Sequence, residues 1–239
     1  MHTRRTIVLI VLAGLAAALA AGALLVVLGG DAGGWALLIG LIVVLNGYRL
    51  YVGPWHRRWG STLDEARHSL PGDELLPGTA HQSDRAVTID ALPTDVWPWL
   101  VQLGWGRGGW YSYDWIDNDG HPSADDLDPR LQRLAVGDTI LMTPDMGFTI
   151  RLVVPGELML SQAPDGTTWC LRLTATGRGR SRLLSRFRLP PPRSLGAVVW
   201  GLLADPGAFL MERRMLLNLK ARAEATAAPD GATGAKMAG

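Results

Sequence analysis

The stretch Leu158-Met-Leu-Ser-Gln-Ala-Pro-Asp-Gly-Thr-Thr-Trp-Cys-Leu-Arg-Leu-Thr174 decides the fold of this chain. It contains two strand-like runs separated by the turn signal Ala163-Pro-Asp-Gly166. A connection this short forces the two strands to run antiparallel. Similar turn signals lie on both sides of the stretch, and they separate strands that we predict at 139–143, 148–154, 158–162, 168–174 and 181–189. The sequence therefore predicts an antiparallel meander.

The segments that flank the meander predict an α+β fold. A strand at 85–90 is followed by a helix that begins at Pro93 and is kinked by Pro98, and then by a short helix at 111–118. After the meander, a long amphipathic helix is predicted to begin near Pro206. A curved antiparallel sheet needs such a helix to cover its concave face, and the space between them can hold a cavity.

The N-terminal residues 1–54 predict a transmembrane helical hairpin. Residues 7–28 carry no charge, a glycine-rich turn follows at 29–34, and a second apolar run extends from 35 toward 52. Arginines flank the hairpin at positions 4, 5, 49, 57 and 58, which by the positive-inside rule places both termini and the soluble domain on the cytoplasmic side of the inner membrane. A cleaved signal peptide is the alternative, but the first apolar run is longer than the usual signal-peptide core and a second run follows it.

The remaining residues divide into a polar connector at 55–83, a soluble domain at 84–224 and a disordered tail at 225–239. The net charge is +1 without a basic stripe, so nucleic acid is not expected as a partner. The single cysteine, Cys170, excludes an intrachain disulfide and is interpreted as a small buried apolar residue.

We expect no cofactor and no metal. The segment Gly104-Trp-Gly-Arg-Gly-Gly109 matches a dinucleotide-binding pattern by letter, but a helix precedes it and no parallel sheet follows. The acidic loop after it imitates a calcium loop, but Trp115 occupies the first ligand position. His121 has no second ligand at metal-binding spacing.

An aromatic cluster is the most unusual feature of the chain. Five tryptophans and two tyrosines lie between 97 and 115, and they either pack as a core or line the mouth of a cavity. Asp114 and Asn118 share one helical face, and a carboxyl among tryptophans would have the raised pKa that acid–base catalysis needs, although a local cap or salt bridge is the alternative. The candidate catalytic residues are Asp114, Tyr111 and Tyr113, and the candidate ligand-binding residues are Trp97, Arg107, Trp110, Trp115, Asn118, Arg151, Trp169, Met211 and Met215.

Three segments resemble the START-like, polyketide-cyclase superfamily (SRPBCC). They are Val87-Thr-Ile-Asp-Ala-Leu-Pro-Thr-Asp-Val-Trp97, Gln102-Leu-Gly-Trp-Gly-Arg-Gly-Gly-Trp-Tyr-Ser-Tyr-Asp-Trp115 and Phe209-Leu-Met-Glu-Arg-Arg-Met215. The resemblance covers about residues 84–224 and implies a helix-grip fold, in which a curved antiparallel sheet wraps around a long C-terminal helix. It also implies an internal cavity for a hydrophobic ligand, and some members catalyse cyclisation or dehydration there. No catalytic motif holds across the superfamily, so no reaction follows.

Three functional hypotheses remain open from the sequence. The first is a membrane-tethered cytoplasmic domain that binds a hydrophobic small molecule or lipid. The second is a cyclase or dehydratase acting on a hydrophobic, polyketide-like substrate. The third is a structural partner of another membrane protein, in which the cavity has no role.

Overall fold

The computed structural model describes residues 23, 24, 27, 31–79 and 81–228. The chain divides into two compact units, Met1–His56 and Arg57–Gly239. In the first, helix α1 (Asp31–Gly47) continues through a π-helical turn (Tyr48–Val52) into α2 (Gly53–Arg57). Residues 31–34, which the sequence predicts as part of a turn, are therefore helical. Glycine lowers helix stability by only about 1 kcal/mol relative to alanine, so two glycines do not prevent the apolar run from extending the helix.

One helical stretch within the described residues, Gly33–Arg57, has the length and composition of a membrane span. Only 6% of its apolar window is buried inside the protein, which is unlike the core helix of a soluble domain. A signal sequence near the N-terminus shares these properties. The first predicted span, at 7–28, lies outside the described residues except for positions 23, 24 and 27.

The second unit is an α+β domain built on one sheet. Its six strands are β1 (His81–Ile89), β2 (Thr139–Thr143), β3 (Met146–Val154), β4 (Leu158–Gln162), β5 (Thr168–Ala175) and β6 (Ser181–Leu189). Its helices are α3 (Leu63–Arg67), α4 (Pro93–Val101), α5 (Asp114–Asp117) and α6 (Leu195–Ala227), with single 3-10 turns at Asp73–Leu75 and Pro129–Leu131. The strand order is β1-β6-β5-β4-β3-β2, and every neighbouring pair is antiparallel.

This architecture confirms the predicted meander and the helix-grip fold, because α6 packs across the sheet after β6. The predicted limits of α6 are wrong at both ends. The helix begins at Leu195, with Pro206 inside it, and continues to Ala227. An internal proline removes one hydrogen bond and kinks a helix, but the apolar residues before Pro206 extend it toward the N-terminus. Likewise, β1 begins at His81, before the predicted position.

The sheet is buried on its inner face and partly buried on its outer face. On the inner face, which packs against α4 and α6, the core includes Val87, Trp169 and Leu183. A smaller cluster covers the outer face and consists of Leu70, Ala86, Leu158, Leu160, Cys170 and Leu184. Burial raises the pKa of the Cys170 thiol to about 12, which agrees with its interpretation as a structural residue.

The segment 60–76, predicted as part of a polar connector, folds over this outer face. Arg186 of β6 is 2% exposed and binds Asp84 at 2.5 Å and Asp73 at 2.8 Å. Its guanidinium also donates to the carbonyl oxygens of Glu65 and His68, at 2.8 and 2.9 Å. One buried arginine therefore fixes this segment to the sheet. We call residues 60–76 the outer flap.

Candidate functional site

The inner face of the sheet carries a cluster of four aromatic rings. Trp169 lies at its centre, with its ring centroid 5.4 Å from Phe187, 5.6 Å from Trp110 and 6.0 Å from Phe148. Three of the rings come from strands β3, β5 and β6, and Trp110 comes from the loop after α4. The Trp169 indole nitrogen donates to the Ser185 hydroxyl at 2.9 Å. The Trp110 indole nitrogen is buried and has no acceptor among the residues that the structure describes. We call these four residues the ring cluster.

The long helix α6 covers this face and is attached to the loop that carries Trp110. The Ser112 hydroxyl donates to the Met211 carbonyl oxygen at 3.0 Å, and the Asn218 side chain donates to the Tyr111 carbonyl oxygen at 2.7 Å. Met215 is 4% exposed and belongs to the same core as Trp110 and Trp169. The loop and the helix therefore form one wall above the sheet.

A buried ion pair joins the sheet to this helix. Arg85 of β1 donates to the Glu212 carboxylate of α6, and the two side chains are 2% and 10% exposed. The Arg85 guanidinium also lies 5.4 Å from the centre of the Phe209 ring. The other carboxylate oxygen of Glu212, Oε1, is buried and accepts no hydrogen bond from the described part of the chain.

The ion pair and the ring cluster lie on the same face of the sheet. Arg85 is paired in register with Ser185, the residue that accepts the hydrogen bond from Trp169. Side chains directly opposite each other on neighbouring antiparallel strands project to the same face, about 5 Å apart. The inner face therefore combines an aromatic surface with one charged pair.

The candidate acid–base residues occupy the loop next to α6. Asp114 accepts a hydrogen bond from the Ser123 hydroxyl at 2.5 Å. The Tyr111 hydroxyl accepts from Gln102 at 2.9 Å, and burial raises the pKa of Tyr111 to about 12. Tyr113 lies under the guanidinium of Arg214, 4.3 Å from the ring centre. None of these three side chains belongs to the ring cluster.

Asp117 is the loop carboxyl with the perturbed pKa. Burial raises the pKa of Asp117, the neighbouring Ser112 hydroxyl opposes this effect, and the charge of Asp114 adds to it. Sequence reasoning assigned the raised pKa to Asp114 because that residue lies next to Trp115. Trp115, however, is 76% exposed. A short helix turns successive side chains in different directions, and sequence spacing alone could not show which carboxyl is covered.

The other predicted ligand-binding residues divide by position. Trp110 and Trp169 are in contact, and Met215 lies in the same core, with Trp97 packed at its margin. Arg107 donates to the carbonyl oxygens of Val101 and Leu131, both at 3.1 Å, and Asn118 donates to that of His121 at 2.7 Å, so both stabilise loops. Met211 is half-buried, whereas Arg151 and Trp115 are exposed, so neither of these two side chains belongs to the core of the domain.

Arg85 and Glu212 were not identified from the sequence. Arg85 occupies an inward position of β1, next to the apolar inward residues Val87 and Ile89. Because side chains alternate between the two faces of a strand, the spacing of Arg85 from Val87 and Ile89 could have indicated that Arg85 faces inward. Its partner is 127 residues away in the chain, and only the fold brings the two together.

Two surface grooves lie away from the ring cluster. One of about 640 Å³ lies beside the β3–β4 turn and includes Leu152 and Glu157, and one of about 340 Å³ lies between the outer flap and the sheet. Arg172 lines both grooves. The space where the sequence predicts a cavity is occupied in this conformation by the ring cluster and its neighbours. No group of His, Cys, Asp or Glu side chains that could hold a metal occurs within the described residues.

No protein-family model matches the chain, and no curated protein matches it.

Several solved structures match the chain, all with low similarity. Protein MLL2253 from Mesorhizobium loti is 15% identical with a TM-score of 0.37, and the match covers 61% of this chain and 98% of that one. CalU16 from Micromonospora echinospora is 17% identical with a TM-score of 0.33, covering 67% and 91%. The Polyketide_cyc-like protein Cgl2372 from Corynebacterium glutamicum is 14% identical with a TM-score of 0.31, covering 61% and 88%.

Matches with TM-scores below 0.5 do not indicate a ligand or a reaction for this chain. The chain's own strand order and its sheet-to-helix packing define a helix-grip fold.

Proposed function

We propose that this protein binds a hydrophobic small molecule or lipid between the sheet and the long helix of its second unit. The observation that carries the proposal is the Trp110 indole nitrogen, a buried hydrogen-bond donor without an acceptor among the described residues, within a cluster of aromatic rings. Buried tryptophan N–H groups usually have a partner, and an unsatisfied one in a native protein calls for an explanation. A ligand acceptor at this point satisfies the donor while its apolar part lies against the rings.

Binding requires the inner wall to move, because the rings and α6 are in contact. Methionine side chains are unbranched and adapt to irregular shapes, and Met215 of α6 belongs to the domain core. Pro206 lies within the same helix, where a proline weakens the hydrogen-bond ladder. We therefore propose that the ligand enters along α6 between Pro206 and Met215.

We further propose that the N-terminal apolar segment holds this domain at the cytoplasmic face of the inner membrane. The apolar stretch Gly33–Arg57 and the flanking arginines support this orientation. A tether of this kind keeps the binding domain close to a ligand that partitions into lipid. Protease treatment of inside-out and right-side-out membrane vesicles tests the orientation, since trypsin should cleave the domain only in inside-out vesicles.

The binding test is native mass spectrometry of the full-length protein, extracted from its own membrane in a mild detergent. The wild type should carry a discrete bound mass. Trp110→Phe, which keeps an aromatic ring but removes the N–H donor, should lower the occupancy, whereas Trp115→Phe at an exposed position should not. A protein that carries only heterogeneous lipid would contradict the proposal, and co-purification of a fixed protein partner would then favour the assembly role.

An enzymatic function is the second candidate, and the raised pKa of Asp117 favours it. A carboxyl whose pKa is raised by burial is better suited to act as the general acid in a dehydration or cyclisation than a solvated one. If the bound molecule is converted to a product, Asp117→Asn should abolish conversion without lowering occupancy. Asp126→Asn, at an exposed position of the same acidic loop, is the matched control. Unchanged conversion in Asp117→Asn would remove this residue from the reaction.

A further inference from the structure

The Arg85–Glu212 pair has the features of a binding site for the polar group of a ligand. Both side chains are at least nine-tenths buried, and they project from opposite walls of the interior, β1 and α6. Burying two charges is expensive even when they are paired, so such a pair needs good hydrogen bonding to all of its polar atoms. One polar atom of this pair has no hydrogen-bond partner within the described residues.

That atom is Oε1 of Glu212. The Oε2 atom accepts the hydrogen bond from Arg85, whereas Oε1 has no donor within the described residues. A carboxylate accepts several hydrogen bonds, and a buried acceptor without a donor is destabilising. The pair therefore presents one unused acceptor to the interior.

We propose that Glu212 Oε1 accepts a hydrogen bond from a neutral hydroxyl group of the ligand, which makes the ligand class an apolar alcohol or phenol. This inference rests on the proposed binding function and names the chemistry of its polar end. A carboxylate ligand would place a second negative charge beside Glu212, whose own charge already neutralises Arg85. An ammonium ligand would bring an unbalanced positive charge into a site that excludes water. A neutral donor satisfies Oε1 without changing the charge of the site.

The register of the sheet fixes how far the apolar part of the ligand must reach. Arg85 lies on β1 and Trp169 lies on β5, two strands away in the order β1-β6-β5. Neighbouring strands are about 4.8 Å apart, so the distance across the sheet is about 10 Å. An aromatic ring system joined to a hydroxyl by a short alkyl chain spans this distance.

The test compares two probes that differ in the polar end alone, 1-pyrenebutanol and 1-pyrenebutyrate. Full-length protein in lipid nanodiscs is titrated at neutral pH, and binding is followed by energy transfer from tryptophan to pyrene. Wild type should bind the alcohol more tightly than the carboxylate. Glu212→Gln removes the negative charge beside the Arg85 guanidinium, so the ratio of the two dissociation constants should shift toward the carboxylate by about tenfold or more.

The control is Glu65→Gln, which removes the carboxylate partner of Arg182 near the outer flap, 2.7 Å away, and should leave the ratio unchanged. If Glu212→Gln fails to fold, the double variant Arg85→Met/Glu212→Leu removes both charges. Buried ion pairs replaced in this way are often neutral or stabilising. It should bind 1-pyrenebutanol no better than 1-butylpyrene, whereas wild type should prefer the alcohol.

The outcomes separate the two levels of the proposal. Wild type that binds neither probe would overturn the binding function and this inference with it. Wild type that binds both probes, with a ratio that Glu212→Gln changes by less than about threefold, would overturn the hydroxyl assignment and leave the binding function standing.

Discussion

Arg186 offers the most direct test of how the two faces of the sheet are stabilised. Its guanidinium neutralises Asp84, whose side chain is 4% exposed, and holds the outer flap by two backbone carbonyl oxygens. Arg186→Met keeps the apolar part of the side chain but leaves Asp84 buried without its arginine. Breaking a buried pair by removing one partner destabilises a protein by about 3–5 kcal/mol. For a domain of this size, 1 kcal/mol corresponds to roughly 2–4 °C, so the melting temperature should fall by about 10 °C.

The assay is unfolding of the full-length protein in detergent, followed by tryptophan fluorescence in urea and on heating. Arg172→Met is the matched control, since Arg172 projects to the same face and forms no ion pair within the described residues; it should change stability by less than about 0.5 kcal/mol. Trypsin cleavage after Arg67 should be faster in Arg186→Met than in the control, because the outer flap detaches. A loss of stability within about 1 kcal/mol of the control would refute the view that this arginine holds the flap.

Three further predictions concern single residues. The folded-state pKa of Asp117 is raised, so its contribution to stability decreases as the pH rises through the interval between 3.8 and that raised pKa. Asp117→Asn should therefore raise the free energy of unfolding at pH 7. In urea titrations below pH 3.8 this gain should vanish. The contribution of Glu65 to stability depends on pH in the opposite sense, because a hydrogen bond from its arginine partner lowers its pKa below 4.5. Glu65→Gln should therefore destabilise the protein at pH 7. The difference in the free energy of unfolding should disappear as the pH falls through the lowered pKa. Gly72→Ala should lower the free energy of unfolding by about 1–3 kcal/mol, and the melting temperature with it, because φ at Gly72 is +97° and the added methyl would lie 2.4 Å from Leu160. Gly78→Ala, with open space around it, should not lower the melting temperature.

The strands were predictable from sequence because their limits are set locally. Each connection in the meander contains proline, glycine or aspartate in a turn pattern, and the strands between them are short and rich in apolar residues. The predicted limits of β4 and β6 agree with those observed. The long helix was misplaced because Pro206 was treated as its start. A proline is equally compatible with the first turn of a helix and with a kink, and the residues before it decide between them.

The outer flap was not predicted because its stabilisation is non-local. Residues 60–76 are polar and rich in turn signals, which in isolation indicates a solvated linker. They fold because β6 places arginines on its outer face, at positions 182, 186 and 188, where they meet Glu65, Asp73 and backbone carbonyl oxygens. In β6, arginines alternate with apolar residues, a pattern that ordinarily predicts that the face with the arginines is exposed to solvent. Here that face is covered, and the covering segment lies more than 100 residues earlier in the chain.

The domain therefore contains two buried arginine–carboxylate groups, and they differ in how completely they are satisfied. On the outer face, the Arg186 guanidinium donates to two carboxylates and to backbone carbonyl oxygens, as expected for a structural network. On the inner face, one oxygen of Glu212 has no donor and the Trp110 nitrogen of the neighbouring aromatic surface has no acceptor among the residues that the structure describes. Buried atoms without a hydrogen-bond partner also occur elsewhere in the described residues, at Arg188 Nε on the outer face, at Arg107 Nε and at both carboxylate oxygens of Asp117. Glu212 Oε1 and Trp110 Nε1 lie on the face of the sheet that carries the ring cluster, and that is the reason to look for the ligand there rather than in the grooves of the outer surface.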